Sequence, residues 1–320
     1  MGKKILVTGS AGFIGYHLSK SLCSQTDVEV FGIDNFSRYQ PDSLYKNLME
    51  NPNFTHLELD LEEPKILENL PQFDYVFHLA ALNGTANFYE RPLEVIRAGI
   101  LPTLSLLEFF KLKPPKKIIY AGTSESYAGA VDMFNYPVPT SEQVPLVIAD
   151  VKNPRWSYAA SKSLSEVAIA TSAVKIGYQY NVVRFHNVYG PRMGFSHVIP
   201  ELTLKAKRGD FNILGARNIR SFIYIEDAVA ALLLLLTDDS LINQIVNIGT
   251  EELIEIRDLA LRIHKIIGIK SDIKELESPE GSVLKRCPDT TKIRSIGFKS
   301  NIDLDKGLAL TVPYYLGIEI

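Results

Sequence analysis

Short runs of apolar and β-branched residues alternate with amphipathic stretches through the first half of the chain. The runs read KKILVTG, VEVFGID, FTHLELD, YVFHLAA, KKIIYAG and YNVVRF. Between them, residues 15–23 and 93–110 place apolar positions at helical spacing. Strands this uniformly apolar are buried on both sides, so the alternation predicts an α/β fold with a doubly wound parallel sheet and helices on both faces.

After about residue 190 the rhythm breaks. Short pieces (HVIPELTLKAKRG, FNILG, RSFIYIED) precede a helix over 227–236, the run VNIGT and a helix over 256–267. No linker rich in Gly, Ser or Pro, no repeat and no low-complexity tract separates the two parts. The expected organisation is a sheet domain over 1–190, to which later segments near 220–250 return. A smaller mixed α/β portion over 191–320 packs onto it.

Composition narrows the function classes. The chain has 320 residues, 46% of them hydrophobic and 22% charged, which is enough for a substantial core. A net charge of −3, from 34 Lys and Arg against 37 Asp and Glu, offers no broad basic footprint for nucleic acid or an anionic membrane. Any bound anion must then be held by a few placed groups. Cys23 and Cys287 lie in no ligand-spaced cluster, so neither a disulfide framework nor a metal site is expected. The run AVAALLLLL at 228–236 is about half the length a bilayer-spanning helix needs, and the apolar run in MGKKILVTG is too short for a signal peptide. A cytoplasmic location is expected.

Residues 3–15, KKILVTGSAGFIG, run from a strand through Gly9, Gly12 and Gly15 into a helix-compatible segment. A tight turn, a close backbone approach to a diphosphate and helix–strand packing all require glycine there, and the helix N-terminus offers N–H groups to the anion. This predicts a Rossmann-type dinucleotide site with Gly9, Gly12, Phe13, Ile14 and Gly15 at the phosphates. The second strand ends at Asp34, whose carboxylate suits both ribose hydroxyls of NAD and repels the 2′-phosphate of NADP. Arg38 is the counter-signal, and NAD is favoured. Asn35, Asp60, Leu61, Leu79, Ala80 and Ala81, at or just beyond strand ends, are candidate adenine and ribose neighbours.

The stretch RWSYAASKS at 155–163 sets Tyr158 and Lys162 four residues apart, on one face if the segment is helical. With TGSAGFIG, HLAA, AGTSESYAG, SYAASK, RFHNVYGPR, RSFIYIEDA, VNIGT and LKRCPD in this order, the chain resembles the extended short-chain dehydrogenase/reductase family, and within it the nucleotide-sugar epimerases, dehydratases and decarboxylases. The match covers nearly the entire chain. The resemblance implies that Tyr158 is the catalytic base, with Lys162 beside it and on the nicotinamide ribose. A phenol near pKa 10 is a poor base at neutral pH, but an adjacent ammonium and a positive nicotinamide both favour the phenolate.

Aligning Tyr127 with the family's tyrosine puts Thr123 on the sugar O4. Glu125 is then a candidate acid/base for a step after C4 oxidation, with Ser124 beside it on the substrate. Thr-Ser-Glu resembles GDP-mannose dehydratases and UDP-glucuronate decarboxylases; UDP-galactose-type epimerases carry small or neutral residues after the hydroxyl. Against dehydration of the dTDP-glucose type, Ser124 stands where that enzyme has an aspartate acid. Arg220 and Arg286 match the diphosphate-binding arginines, Asn187 a phosphate contact, and Val198 the backbone that meets the base. Arg192 is a further candidate for a phosphate or a sugar carboxylate. His78, His186 and His197 read as packed bystanders.

The resemblance implies an NAD-dependent enzyme acting on a UDP- or GDP-linked sugar in polysaccharide or glycan precursor synthesis. It oxidises C4, foremost as a 4-epimerase or 4-dehydrogenase. A UDP-glucuronate-type decarboxylase or an NDP-sugar 4,6-dehydratase using Glu125 is the alternative. A reading of another class is a non-catalytic NAD(H)-binding sensor; such proteins usually lose the tyrosine or the lysine, and both are present. The family also implies a homodimer through the helices over 157–176 and 93–110.

Overall fold

A computed structural model describes residues 2–38, 40–278 and 283–317. The six apolar runs are β1 (Lys3–Thr8), β2 (Val28–Asp34), β3 (Phe54–Glu58), β4 (Tyr75–His78), β5 (Lys117–Thr123) and β6 (Gln179–Phe185). A seventh strand, Gln244–Ile248, joins them from the later part of the chain. Its pairing with β6 extends one parallel sheet in the order seventh strand, β6, β5, β4, β1, β2, β3. Successive side chains of a strand enter opposite layers. Ile5 and Val7 of β1 join the core that also holds Val183, Leu232 and Val246, whereas Leu6 joins Val76, Ile118, Val182, Phe110 and Ile169 on the other face. Every residue of β5 is buried, as a strand covered on both sides requires.

The chain order reverses between β1 and β4. In open parallel sheets the crevice beyond the carboxyl ends of the strands at such a point takes the ligand. Gly9 and Leu79 to Ala81 follow those two ends here.

The helix Trp156–Ile176 packs on the helix Pro92–Phe110, and its serine- and alanine-rich composition has a steric reason. A Cβ on Gly99 would lie 2.3 Å from Ser161 Oγ, and Ser165 Oγ donates to the Gly99 carbonyl at 2.7 Å. Larger residues would force the two helices apart.

Beyond residue 190, HVIPELTLKAKRG forms a helix, Val198–Lys207, with Ile199, Leu202 and Ala206 buried. Two short strand pairs, Asn212–Leu214 with Lys274–Leu276 and Ile219–Arg220 with Ile254–Glu255, shape the wall above the sheet. A bridge from Ile219 to Lys285 brings the LKRCPD segment alongside. Among the described residues no helix is long and apolar enough to cross a membrane.

Candidate active site

A cleft of 1090 Å³ runs along the carboxyl ends of the strands, and every candidate residue named from the sequence lies in its wall. At one end is the glycine turn. Gly9 has φ 69°, and a Cβ there would meet Ala80 backbone at 2.9 Å; a Cβ on Gly15 would lie 2.1 Å from the Gly9 carbonyl oxygen. The turn therefore admits no side chain at either position, and it feeds directly into the helix Phe13–Cys23, leaving the N–H groups of that helix toward the cleft.

Asp34 caps this end. Its carboxylate accepts from the Ala11 and Phe36 N–H groups, each at 3.0 Å, and burial raises its pKa. Asn35 Nδ2 donates to Asp60 Oδ2 at 3.1 Å, so two of the expected ribose neighbours are already joined. Beneath the turn His78 is a core residue: its ring nitrogens meet Thr8 Oγ1 at 2.7 Å and Thr103 Oγ1 at 3.0 Å, and burial lowers its pKa to about 3.

Arg192 is placed differently from the reading that put it on substrate. Its Nε donates to Asp42 Oδ2 at 2.7 Å and a second nitrogen to the Ala11 carbonyl at 3.3 Å, while the guanidinium lies 4.1 Å from the Tyr16 ring centre. The side chain thus ties the segment after β6 to the glycine-turn end, because Asp42 offers an opposite charge within reach, and its remaining buried nitrogen has no hydrogen-bond partner among the described residues. The sequence gives no hint of that pairing across 150 positions.

Tyr158 and Lys162 occupy the middle of the cleft on one face of their helix, both buried. The Tyr158 ring stacks on Phe88, with centres 4.9 Å apart and planes 13° apart. Lys162 Nζ donates to the Ala121 carbonyl at 2.8 Å and sits 4.7 Å from the Tyr120 ring centre. Burial drives its pKa down to about 7, opposed by the charge of Glu166 one turn further along. Burial also pushes the Tyr158 phenol well up, and Glu125 adds to that. With its pKa raised in this way, the phenol is neutral at pH 7. The expected help from a positive nicotinamide is then needed.

The other end is a cluster of charge. Thr123 closes β5, and its Oγ1 accepts from the Glu125 N–H at 3.2 Å, which fixes the turn carrying Ser124. Glu125 is held between two arginines, Arg155 at 3.1 Å and Arg286 closer still. Its own burial raises its pKa, yet the two guanidiniums win and hold it down to about 2. Arg220 donates to the carbonyls of Ile219, Val283 and Leu284, and burial beside Arg286 lowers its pKa to about 9. Asn187, at φ 42°, donates from Nδ2 to the Ser221 carbonyl at 2.8 Å, and Val198 opens its helix in the same wall.

His186 is buried against the Tyr127 hydroxyl, with its pKa lowered to about 3, and burial lowers His197 to about 4. Both rings are neutral at pH 7. Among the described residues no group of three or more His, Cys, Asp or Glu side chains is arranged to hold a metal ion.

Sequence reasoning passed over Arg155 and Phe88. Arg155 carries a faint signal, since it stands one helical turn before Tyr158; Phe88 carries none, because its stacking partner lies 70 positions away.

Known proteins place this geometry. The profile of the NAD dependent epimerase/dehydratase family matches residues 5–249. The chain is 32% identical to the UDP-N-acetyl-alpha-D-glucosaminuronate decarboxylase of Bacillus cytotoxicus, over 100% of this chain and 99% of that protein. It is 28% identical to UDP-glucuronic acid decarboxylase 5 of Arabidopsis thaliana, over 96% of this chain and 87% of that one. Among solved structures it resembles the UDP-glucose 4-epimerase of Thermotoga maritima with UDP-glucose, at a TM-score of 0.86 and 31% identity over 98% of each chain. A UDP-glucuronic acid 4-epimerase from Bacillus cereus, in complex with UDP-glucuronic acid and NAD, matches at a TM-score of 0.86 and 26% identity, over 98% of this chain and 99% of that one.

Proposed function

Because the chain belongs to the NAD-dependent epimerase/dehydratase family, we propose that it oxidises C4 of a UDP-linked sugar acid and releases the C6 carboxylate as carbon dioxide. The residues at the glycine turn fit NAD: the turn excludes side chains where a diphosphate would lie, and Asp34 stands at the tip of β2 for the ribose hydroxyls. Bound there, NAD supplies the hydride acceptor for C4 and afterwards a hydride donor.

The chain's own groups do the rest. Thr123 Oγ1 and the Tyr158 hydroxyl converge on the sugar O4, and Tyr158 takes its proton as C4 becomes a ketone. Lys162, anchored on the Ala121 carbonyl, lends its charge to the phenolate once the nicotinamide is in place. A ketone at C4 makes the C6 acid a β-keto acid. The C5–C6 bond then breaks with its electron pair passing into the enolate at C4 and C5, a solvent proton takes the place of the lost carboxylate on C5, and Tyr158 gives the O4 proton back when C4 is reduced again.

The observation that carries this reading is the charge cluster. Three guanidiniums, Arg155, Arg220 and Arg286, face one carboxylate, Glu125, which leaves positive charge for both a diphosphate and a sugar carboxylate. A Glu125 held between two guanidiniums at a pKa of about 2 is a weak base toward the C5 proton that dehydration must remove, which weighs against that route. A 4-epimerase is the second reading. It needs only Thr123, Tyr158 and Lys162, and the UDP-sugar 4-epimerases among the structural neighbours favour it. We carry the homodimer into the proposal as well, because Leu93, Leu104, Leu164 and Val167 are exposed on the two helices expected to form it. Size-exclusion chromatography with light scattering decides that point.

Incubation with NAD and a UDP-hexuronic acid, followed by mass spectrometry, tests the reaction. Loss of carbon dioxide supports decarboxylation. Unchanged mass with inversion at C4 by NMR would replace it with epimerisation.

A further inference from the structure

The two ion pairs of Glu125 are separate: Oε1 takes Arg286 and Oε2 takes Arg155. One can open while the other stays. The two arginines are also held differently. Arg155 leads into the Tyr158 helix, its backbone N–H fixed on Asn153 Oδ1 at 3.0 Å, and its side chain stands behind Glu125 rather than in the cleft wall. Arg286 faces the cleft on a backbone pinned to the Ile219 carbonyl at 3.0 Å, and its buried Nε has no hydrogen-bond partner. The two side chains are equally shielded, at 12% exposed, but Arg286 alone borders the cleft and keeps a donor that the protein leaves unsatisfied.

We propose that Arg155 is a positioning residue, the fixed counter-ion of Glu125, which frees Arg286 to leave Glu125 for an anionic group of the incoming substrate. The sugar-acid reading identifies that group, but the exchange of partners is a separate claim. Without Arg155, the departure of Arg286 would strand a carboxylate that is only 23% exposed, and it would take up a proton. With Arg155 in place, Glu125 stays an anion in the complex. A fixed anion has no proton to hand to the sugar carboxylate, so C6 stays ionised and leaves directly as carbon dioxide. The groups around Glu125 are Arg155 from the helix start, Arg286 from its own segment, Arg220 from the strand Ile219–Arg220, Tyr158 across the cleft, and His186 after β6, which burial keeps neutral. None of them replaces Arg155, since Arg220 already donates to three carbonyls.

Calorimetric titration of the NAD-loaded protein with a UDP-hexuronic acid, in buffers of different ionisation enthalpy, tests the exchange. Near pH 6 the wild type and Arg155→Lys should bind with no proton uptake at Glu125. Arg155→Gln should bind on the order of tenfold more weakly and take up as much as about one proton. The double variant Glu125→Gln/Arg155→Gln has no carboxylate to protonate, so it should lose that uptake, and it guards against misfolding of the single variant. Uptake-free binding by Arg155→Gln at wild-type affinity would overturn the proposal, as would uptake that persists in the double variant. Because the readout is binding, a wild type that releases no carbon dioxide would sink the reaction assigned above and leave this result standing.

Discussion

Replacing Glu166 with Gln tests the support behind the Tyr158 and Lys162 pair. Glu166 lies one turn beyond Lys162 and reaches Arg184 of β6 through contacts of 2.7, 3.3 and 3.3 Å, with the two side chains 4% and 2% exposed. Gly122 makes the approach possible, because a Cβ there would lie 2.6 Å from Glu166 Oε1. In the variant the Arg184 charge keeps the Glu142 carbonyl at 3.1 Å, the face of Tyr127 and a neutral amide oxygen in place of the carboxylate, but it loses its anion. Stranding a buried charge by removing its partner costs about 3–5 kcal/mol. At roughly 2–4 °C per kcal/mol for a large domain, the melting temperature should fall by on the order of 10 °C. The paired replacement Glu166→Leu with Arg184→Met removes both charges and should recover most of that loss. Thermal unfolding of the NAD-saturated proteins measures both. Glu166→Gln should also lower the alkaline limb of the pH–rate profile, since Lys162 loses the anion that supports its charge. A melting point within about 2 °C of wild type would refute the reasoning, because a charge left unpaired at this depth has no cheaper outlet.

The Gly15→Ala change places a methyl 2.1 Å from the Gly9 carbonyl oxygen, so the purified variant should carry no dinucleotide through gel filtration. Tyr158→Phe keeps the stack on Phe88 and loses the proton acceptor; single-turnover oxidation of C4 should slow by about a hundredfold to ten-thousandfold with the melting point preserved. The Glu125 pKa lies at about 2, below its ordinary 4.5, so the pair adds stability that is present above 4.5 and lost as pH falls toward 2. Glu125→Gln should flatten that acid loss in melts taken between about pH 3 and 6.

The sheet was legible because each of its first six strands is a short apolar run beside a turn signal, and the glycine turn because its sterics are local. The helix Trp156–Ile176 was legible for the same reason, within a residue at its start. Among the elements that escaped are two helices. Val198–Lys207 begins with His-Val-Ile-Pro, which reads as a break although proline sits comfortably in a first turn. Leu304–Leu316 places Leu304, Leu308, Val312 and Tyr315 on one buried face, a periodicity present in the sequence and passed over. In the site, residue types in family order located the cleft wall, but who pairs with whom did not follow. Arg192 goes to Asp42 and Arg155 to Glu125 because opposite charges meet only after the sheet has formed. That burial raises the Tyr158 phenol could not be read from spacing, since burial is a property of the folded protein.

The seventh strand bears on how the protein is made. Asn247, fully buried in it, donates from its side chain to the carbonyls of Thr140 at 3.0 Å and Asp289 at 3.1 Å, and its backbone N–H meets Glu142 Oε1 at 2.9 Å. The segment holding Thr140 and Glu142 is therefore secured by residues that leave the ribosome roughly a hundred positions after it, and the edge of β6 stays open until then. A nascent chain stalled before residue 244 would hold the glycine turn, Tyr158 and Lys162, yet would expose an apolar strand edge suited to a chaperone.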